Sequence, residues 1–229
     1  MAFRRFWNPR QINQLCNYSK KTSPPGGASK INVPTETFSR EGDNGMSKTL
    51  TGEKLPKNHN VFKAIGATEE LLSSIGVARE HATESEQEYT DKLKRIQTII
   101  IDISTAISRS GDKTKKPIPD VYTKELEDWI REYSKQLPPP EQYIIPGGGV
   151  ASASLHFARA ICRKTERAIW PFVQEGTVDK EAQIYLNRLS DFLFTVSRIA
   201  AKHDKRAESI YIPKPDEKIQ EQIMSVEQN

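Results

Sequence analysis

The sequence predicts an all-α protein, a five-helix bundle preceded by a loop-rich N-terminal arm. Three observations carry that expectation. Five stretches place apolar residues at spacings of three and four, the period of one helix face. Breaks rich in glycine and proline separate them. No run of comparable length alternates apolar and polar residues as a strand would.

The elements follow in order. Residues 31–58 hold Pro34, Gly42, Gly45, Gly52 and Pro56 among small polar residues, which reads as an arm of loops with room for a short strand. The first helix spans roughly residues 59–82, with Val61, Ile65, Thr68, Leu72 and Ile75 on one face. The second spans roughly 85–109, where Tyr89, Leu93, Ile96, Ile100, Ile103 and Ile107 form a bundle seam. The third, roughly 121–137, carries Tyr122, Leu126, Trp129, Tyr133 and Leu137 and stops at Pro138-Pro139-Pro140. The fourth starts after Gly147-Gly148-Gly149 and presents Leu155, Ala158, Cys162, Thr165 and Ile169. The fifth spans roughly 179–205, with Tyr185, Leu189, Phe192, Val196 and Ile199 inward. The bundle is one domain over 59–206, and 207–229 is a C-terminal tail.

Charge and composition exclude several classes of function. The 229 residues carry 34 Lys and Arg against 30 Asp and Glu, a formal +4. Arg4, Arg5, Arg10, Lys20, Lys21 and Lys30 fall in residues 1–35, which hold no acid. Without those six, 28 basic residues face 30 acidic ones, so the body is −2 and lacks the one-signed aromatic patch of a nucleic-acid binder. Residues 1–30 are basic, acid-free and without an apolar signal core, which reads as a transit peptide and linker addressed to the mitochondrial matrix. The longest aliphatic run, Ile99-Ile100-Ile101, ends at Asp102, so no membrane-spanning stretch is expected. Cys16 and Cys162 cannot build a metal cluster or a disulfide scaffold, and the four histidines show no ligand spacing.

Four constellations can carry chemistry. Ser39 to Thr49 combines glycines, hydroxyls and Lys48, the ingredients of a phosphate cradle, without the Gly-Lys step of a Walker A loop. On the fourth helix His156, Arg159, Arg163, Glu166 and Arg167 share one side, which is either a solvated ion-paired face or a holder of polyphosphate. On the fifth, Asn187, Arg188 and Asp191 lie opposite the apolar seam and can meet a ligand or another helix. Tyr143 and Pro146-Gly147-Gly148-Gly149 are either a plain helix-entry loop or a place where backbone approaches a large flat ligand.

Taken together these segments resemble the PduO-type corrinoid adenosyltransferases, the ATP:cob(I)alamin adenosyltransferases, over about residues 36–206. The resemblance rests on Gly42-Asp43-Asn44-Gly45, Thr51-Gly52-Glu53 with Lys57, and Phe62-Lys63-Ala64-Ile65-Gly66. It continues through Glu70-Leu71, Ser74-Ile75-Gly76, Gln136-Leu137-Pro138-Pro139 and Pro146-Gly147-Gly148-Gly149. His156-Phe157-Ala158-Arg159, Cys162-Arg163, Glu166-Arg167 and Tyr185 to Asp191 complete it.

The resemblance implies a homotrimer with active sites between subunits. It implies transfer of the 5′-deoxyadenosyl group of ATP to cob(I)alamin, releasing triphosphate and forming adenosylcobalamin, with Mg-ATP and cob(I)alamin as substrates. A cobalamin reductase and methylmalonyl-CoA mutase are the implied partners. It places Ser39, Arg40, Glu41, Gly42, Ser47, Lys48, Lys57, Arg163, Lys164, Thr165, Glu166, Arg167 and Asn187 at ATP, with Glu166 or Asn187 near magnesium. Tyr143, His156, Arg188 and Asp191 fall to the corrin, Tyr143 beneath the ring, and Arg159 and Glu69 to a pair across the subunit interface. Arg163, Glu166, Tyr143 and Asp191 are the residues expected to carry the reaction. Cob(I)alamin is itself the nucleophile, so the chemistry asks for positioning and cations at the leaving triphosphate and for no proton-abstracting base. The chain departs from the family pattern at Ser39, Glu41, Lys48, Glu69, Tyr143 and Lys164. Glu41, Lys48 and Lys164 motivate the rival expectation of a catalytically impaired cobalamin carrier or scaffold.

Overall fold

The structure is a computed structural model that describes residues 40–112, 114, 116–139 and 143–211. Residues 1–30, Ser39 and the tail beyond Tyr211 lie outside the described residues. The chain divides into two units at the Arg40–Glu41 boundary, and of the first only Arg40 is described.

The five periodic stretches are five helices: α1 (Asn60–Glu84), α2 (Thr90–Ser108), α3 (Val121–Ser134), α4 (Val150–Gln174) and α5 (Lys180–His203). Two helix starts are capped by side chains. His59 Nδ1 accepts from the backbone of Val61 at 3.3 Å, and Asp179 accepts from Glu181 N at 3.2 Å. The other oxygen of Asp179 accepts from Ile118 N at 3.2 Å, which ties the α2–α3 connection to the start of α5.

Two limits and one buried face differ from the sequence expectation. α2 begins at Thr90 instead of near 85, because Ser85 turns both its N–H and its hydroxyl back to His81 O and Glu86 takes a left-handed φ of 54°. α3 stops at Ser134, short of 137, since the residue before a proline is pushed out of the helical region. On α1 the buried line runs through Val61, Ala64, Thr68, Leu71, Ile75, Ala78 and Ala82, with Ile65 and Leu72 only partly covered. Its seam is built of alanines, which a search for large apolar side chains passes over.

The helices pack as neighbours in the order α2, α1, α4, α5, α3. Polar contacts join the two ends of that series. Lys92 of α2 donates to the hydroxyl of Tyr133 on α3 at 2.9 Å and lies over its ring, and Arg95 pairs with Glu125 at 3.4 Å. Inside, Leu71, Ile75, Leu93, Ile96, Ile100 and Ile103 meet an aromatic group in which Phe192 touches both Tyr133 and Trp129.

Two small antiparallel pairs flank the bundle. β1 (Met46–Lys48) and β2 (Lys54–Pro56) form a hairpin in the arm, and β3 (Ile144–Ile145) pairs with β4 (Ser209–Ile210). The hairpin loop is fastened to the bundle by Leu50 N, which donates to Ser108 Oγ at 3.0 Å.

Candidate active site

α4 and α5 are adjacent, so the polar sides of both helices border one cleft of about 350 Å³. Arg163, Glu166, Arg167 and Trp170 line it from α4, and Gln183 and Asn187 from α5. The sequence brought four of these six forward. Trp170 and Gln183 were missed, Trp170 because an aromatic at helical spacing reads as core and Gln183 because it belongs to no charged pattern. In the structure the Trp170 ring is 44% exposed.

Glu166 organises the floor of this cleft. Its Oε1 accepts from Gln183 Nε2 at 3.1 Å and from Asn187 Nδ2 at 3.0 Å. Both amides are thereby turned nitrogen-first towards Glu166. Arg163 and Arg167 stand exposed at the rim. Pro171, inside α4, has no N–H to give the carbonyl of Arg167 four residues back.

The remaining α4 positions separate. Lys164 reaches across to Glu70 of α1, Nζ to Oε2 2.7 Å. Thr165 is fully buried, and its hydroxyl lies 2.9 Å from the carbonyl of Ala67 and 3.0 Å from that of Ile161. It borders α1 and does not line the cleft. Cys162 is buried with Sγ 3.2 Å from Leu186 O, and burial pushes its thiol far above the ordinary range, so no thiolate is on offer.

The arm gathers its own charged group. Lys48 Nζ meets Glu41 Oε2 at 3.2 Å, so the carboxylate that is unusual in a phosphate loop has a cation beside it. Lys57 folds back over Gly42: a Cβ on that glycine would lie 2.7 Å from Lys57 Nζ. The contacted atom is the far end of a flexible side chain, so Lys57 can swing aside at little cost. Lys57 N also donates to Gly45 O at 2.9 Å, and Ser47 sits on β1 opposite Leu55. Arg40 is exposed with a left-handed φ of 57°.

The residues expected at the corrin lie on the α4–α5 side and on the 143–145 segment. Tyr143 is 57% exposed, and its ring stands edge-on to Tyr211 at 6.1 Å. His156 packs against Phe194 at 6.1 Å, and Arg159 lies over the same ring at 5.2 Å. Burial holds the His156 imidazole below its ordinary 6.5, Arg159 adds to that, and Glu208 opposes it. Arg188 is held by Glu127 of α3 at 3.2 Å and by Asp191 at 3.0 Å, so two of the residues expected at the corrin sit in one network. Arg159 Nε is buried with no hydrogen-bond partner among the described residues, and Glu69 is exposed on α1.

The glycine run resolves differently from its functional reading. Backbone does approach closely there, but the partner is α5. A Cβ on Gly148 would lie 2.7 Å from Ala201 Cβ, and one on Gly149 would lie 2.8 Å from Asp204 Oδ2. The two φ angles, 85° and 103°, also demand glycine.

Comparison with known proteins decides the family. The Cobalamin adenosyltransferase family model matches residues 37–200. The chain belongs to the cobalamin adenosyltransferase family. It is 40% identical to the Mus musculus corrinoid adenosyltransferase MMAB over 211 residues, covering 86% of this chain and 89% of that protein. The Homo sapiens MMAB is likewise 40% identical, covering 82% of this chain and 78% of its own length. Among solved structures, a variant PduO-type ATP:corrinoid adenosyltransferase from Lactobacillus reuteri complexed with cobalamin and ATP superposes with a TM-score of 0.73 at 26% identity. The match covers 78% of this chain and all of that one. As a cobalamin adenosyltransferase the chain is a transferase that forms adenosylcobalamin, and the five-helix bundle is the fold on which the family's site is built.

Proposed function

We propose that the α4–α5 cleft receives the triphosphate of ATP and that the Tyr143–His156 side receives the corrin, in a mitochondrial enzyme that adenosylates cob(I)alamin. The observation that carries this reading is the convergence of Arg163, Arg167 and Asn187 on one 350 Å³ cleft in a chain of this family.

The cobalt of cob(I)alamin attacks C5′ of ATP. A cobalt–carbon bond forms, the C5′–oxygen bond breaks, and the electron pair leaves on triphosphate. The side chains abstract no proton. The forked guanidinium groups of Arg163 and Arg167 receive the charge that gathers on the leaving oxygens. Glu166 acts through Gln183 and Asn187, fixing the amides it holds. Lys48 lies beside Glu41, which supports Glu41, Gly42, Ser47, Lys48 and Lys57 as a nucleotide-facing arm.

Magnesium fits as an ion that travels with the nucleotide. The described residues hold no group of three His, Cys, Asp or Glu, and the cleft offers one carboxylate, Glu166, with Asn187 beside it. The ion supplies further charge neutralisation at the triphosphate when bound.

A homotrimer belongs to the same reading. The Nε of Arg159, unpartnered among the described residues, and the exposure of Phe157 at 64% support an outer face that another subunit covers, with Glu69 the acid for Arg159. The acid-free basic leader and the similarity to the mammalian proteins support the matrix, where adenosylcobalamin would supply methylmalonyl-CoA mutase and a reductase would supply cob(I)alamin.

The test mixes the purified chain with Mg-ATP and chemically reduced cobalamin and follows the visible spectrum. Adenosylcobalamin is expected to accumulate, and none at saturating ATP overturns the reading. Arg163→Ala is expected to raise the KM for ATP about tenfold or more, the worth of a hydrogen bond to a charged group. An unchanged KM removes Arg163 from the site.

A further inference from the structure

Arg198 is the most deeply buried charged side chain in the described structure, 5% exposed on the last turns of α5. A guanidinium in that position must be fully paired, because burial strips its water. All three of its hydrogen bonds among the described residues go to segments outside the helices. Nε and Nη2 form a fork on Glu208, at 2.8 and 3.1 Å, and Nη1 donates to the carbonyl of Pro138 at 3.1 Å. One turn further, Lys202 Nζ donates to Gln136 O at 2.6 Å.

Those segments flank Tyr143. Gln136 and Pro138 precede it, and Glu208 leads directly into β4. β4 then pairs with β3, Ile144 opposite Ile210 and Ile145 opposite Ser209. Tyr211 N donates to Tyr143 O at 2.8 Å, and the two rings meet edge-on. β3 has two residues and β4 has two. A two-residue ladder does not hold itself together in water, since strand pairs that short are marginal without outside anchorage. The anchorage is the Arg198–Glu208 fork.

We infer that Arg198 and Glu208 are positioning residues for the corrinoid: the buried fork holds the Glu208–Tyr211 strap against the 143–145 segment and thereby sets the direction in which Tyr143 presents its ring. The two residues touch no substrate. They act through β4 and the carbonyl of Pro138. The geometry also explains why an arginine stands there. A lysine could meet Glu208 or Pro138, but a planar fork meets a carboxylate with two nitrogens and still directs a third bond to a separate carbonyl.

The inference rests on the assignment of Tyr143 to the corrin, and its test separates the two. Steady-state rates are measured on the full chain with ATP and cob(I)alamin varied in turn, beside thermal unfolding. Glu208→Gln leaves the guanidinium buried without a counter-charge. A double variant, Arg198→Met with Glu208→Met, removes both charges, so it keeps a fold that a lone buried charge would threaten. Both variants are expected to raise the KM for cobalamin about tenfold, the scale on which small misplacements act, while the KM for ATP stays within about twofold. A purely structural pair would move both KM values together or neither, and either outcome overturns the positioning role. If the parent uses cobalamin but Tyr143→Ala leaves its KM unchanged, the assignment of Tyr143 fails. If Tyr143→Ala shifts the KM and the double variant does not, the role of the fork fails alone.

Discussion

His156 shows how a single side chain reports its surroundings. Phe194 covers it, Arg159 repels its proton, and Glu208 attracts one, with burial the dominant cause. Its folded pKa therefore lies below the unfolded value near 6.5. Between the two values the unfolded chain binds more protons, so stability rises with pH across that window. The contribution of a neutral His156 is complete above about pH 6.5 and is lost as pH falls through the folded value. Urea midpoints at pH 7.5 and 5.5 are expected to fall further for the parent than for His156→Gln, and equal losses would remove His156 as the cause. At this scale the sequence was informative where charge is patterned. Arg163, Glu166 and Arg167 could be placed together by helical spacing, whereas Asn187, on another helix, joined them only through the family resemblance. Thr165 shows two signals in conflict: the periodicity of the fourth helix set it on the apolar face, where the structure has it buried, while the family resemblance set it at ATP. Trp170 could not be recognised, because its exposure depends on a neighbouring helix.

At the scale of elements, Gly148 marks where α4 enters against α5. Its φ of 85° and the 2.7 Å approach to Ala201 are separate penalties for any side chain. Gly148→Ala is expected to cost about 2 kcal/mol or more, from left-handed strain and overpacking combined, read as a lower urea midpoint. Gly45 is the control: its φ is 75°, but a Cβ there meets nothing within 4 Å. Gly45→Ala should show the strain alone, and a cost equal to that of Gly148→Ala would mean that packing on α5 contributes nothing. Helix number and order were legible because Ile and Leu repeat at three and four along α2 and α5. The limits of α2 and α3 were not, since they are set by Ser85 and by Pro138, local competitors that periodicity ignores. The alanine seam of α1 was invisible for a related reason: alanine is permitted on every face of a helix, and only the close approach of a neighbour shows which face needs it.

For the whole molecule, a single chain leaves groups that look outward. Arg159 has a buried donor without a partner among the described residues, and Glu69 lies exposed on α1. Light scattering of the purified chain is expected to give three times the 26.0 kDa chain mass, and Arg159→Ala is expected to shift that mass towards the monomer. A monomeric parent at micromolar concentration would overturn the trimer. The charge of the chain takes its place here too. The six cations of residues 1–35 stand apart from a body of net −2, whose α4–α5 cleft and arm each bring cations together.

α5 carries Asn187 near one end of its site-facing side and Arg198 near the other, eleven residues apart. Eleven residues make just over three turns, so the two leave the helix in nearly the same direction, about 16 Å apart along its axis. The axial distance between the cleft residue Asn187 and the Arg198 fork is thus set by backbone rise within one helix. One inserted residue would turn one end through about 100° relative to the other. Length along this stretch is therefore as strict a requirement as the identity of any residue on it.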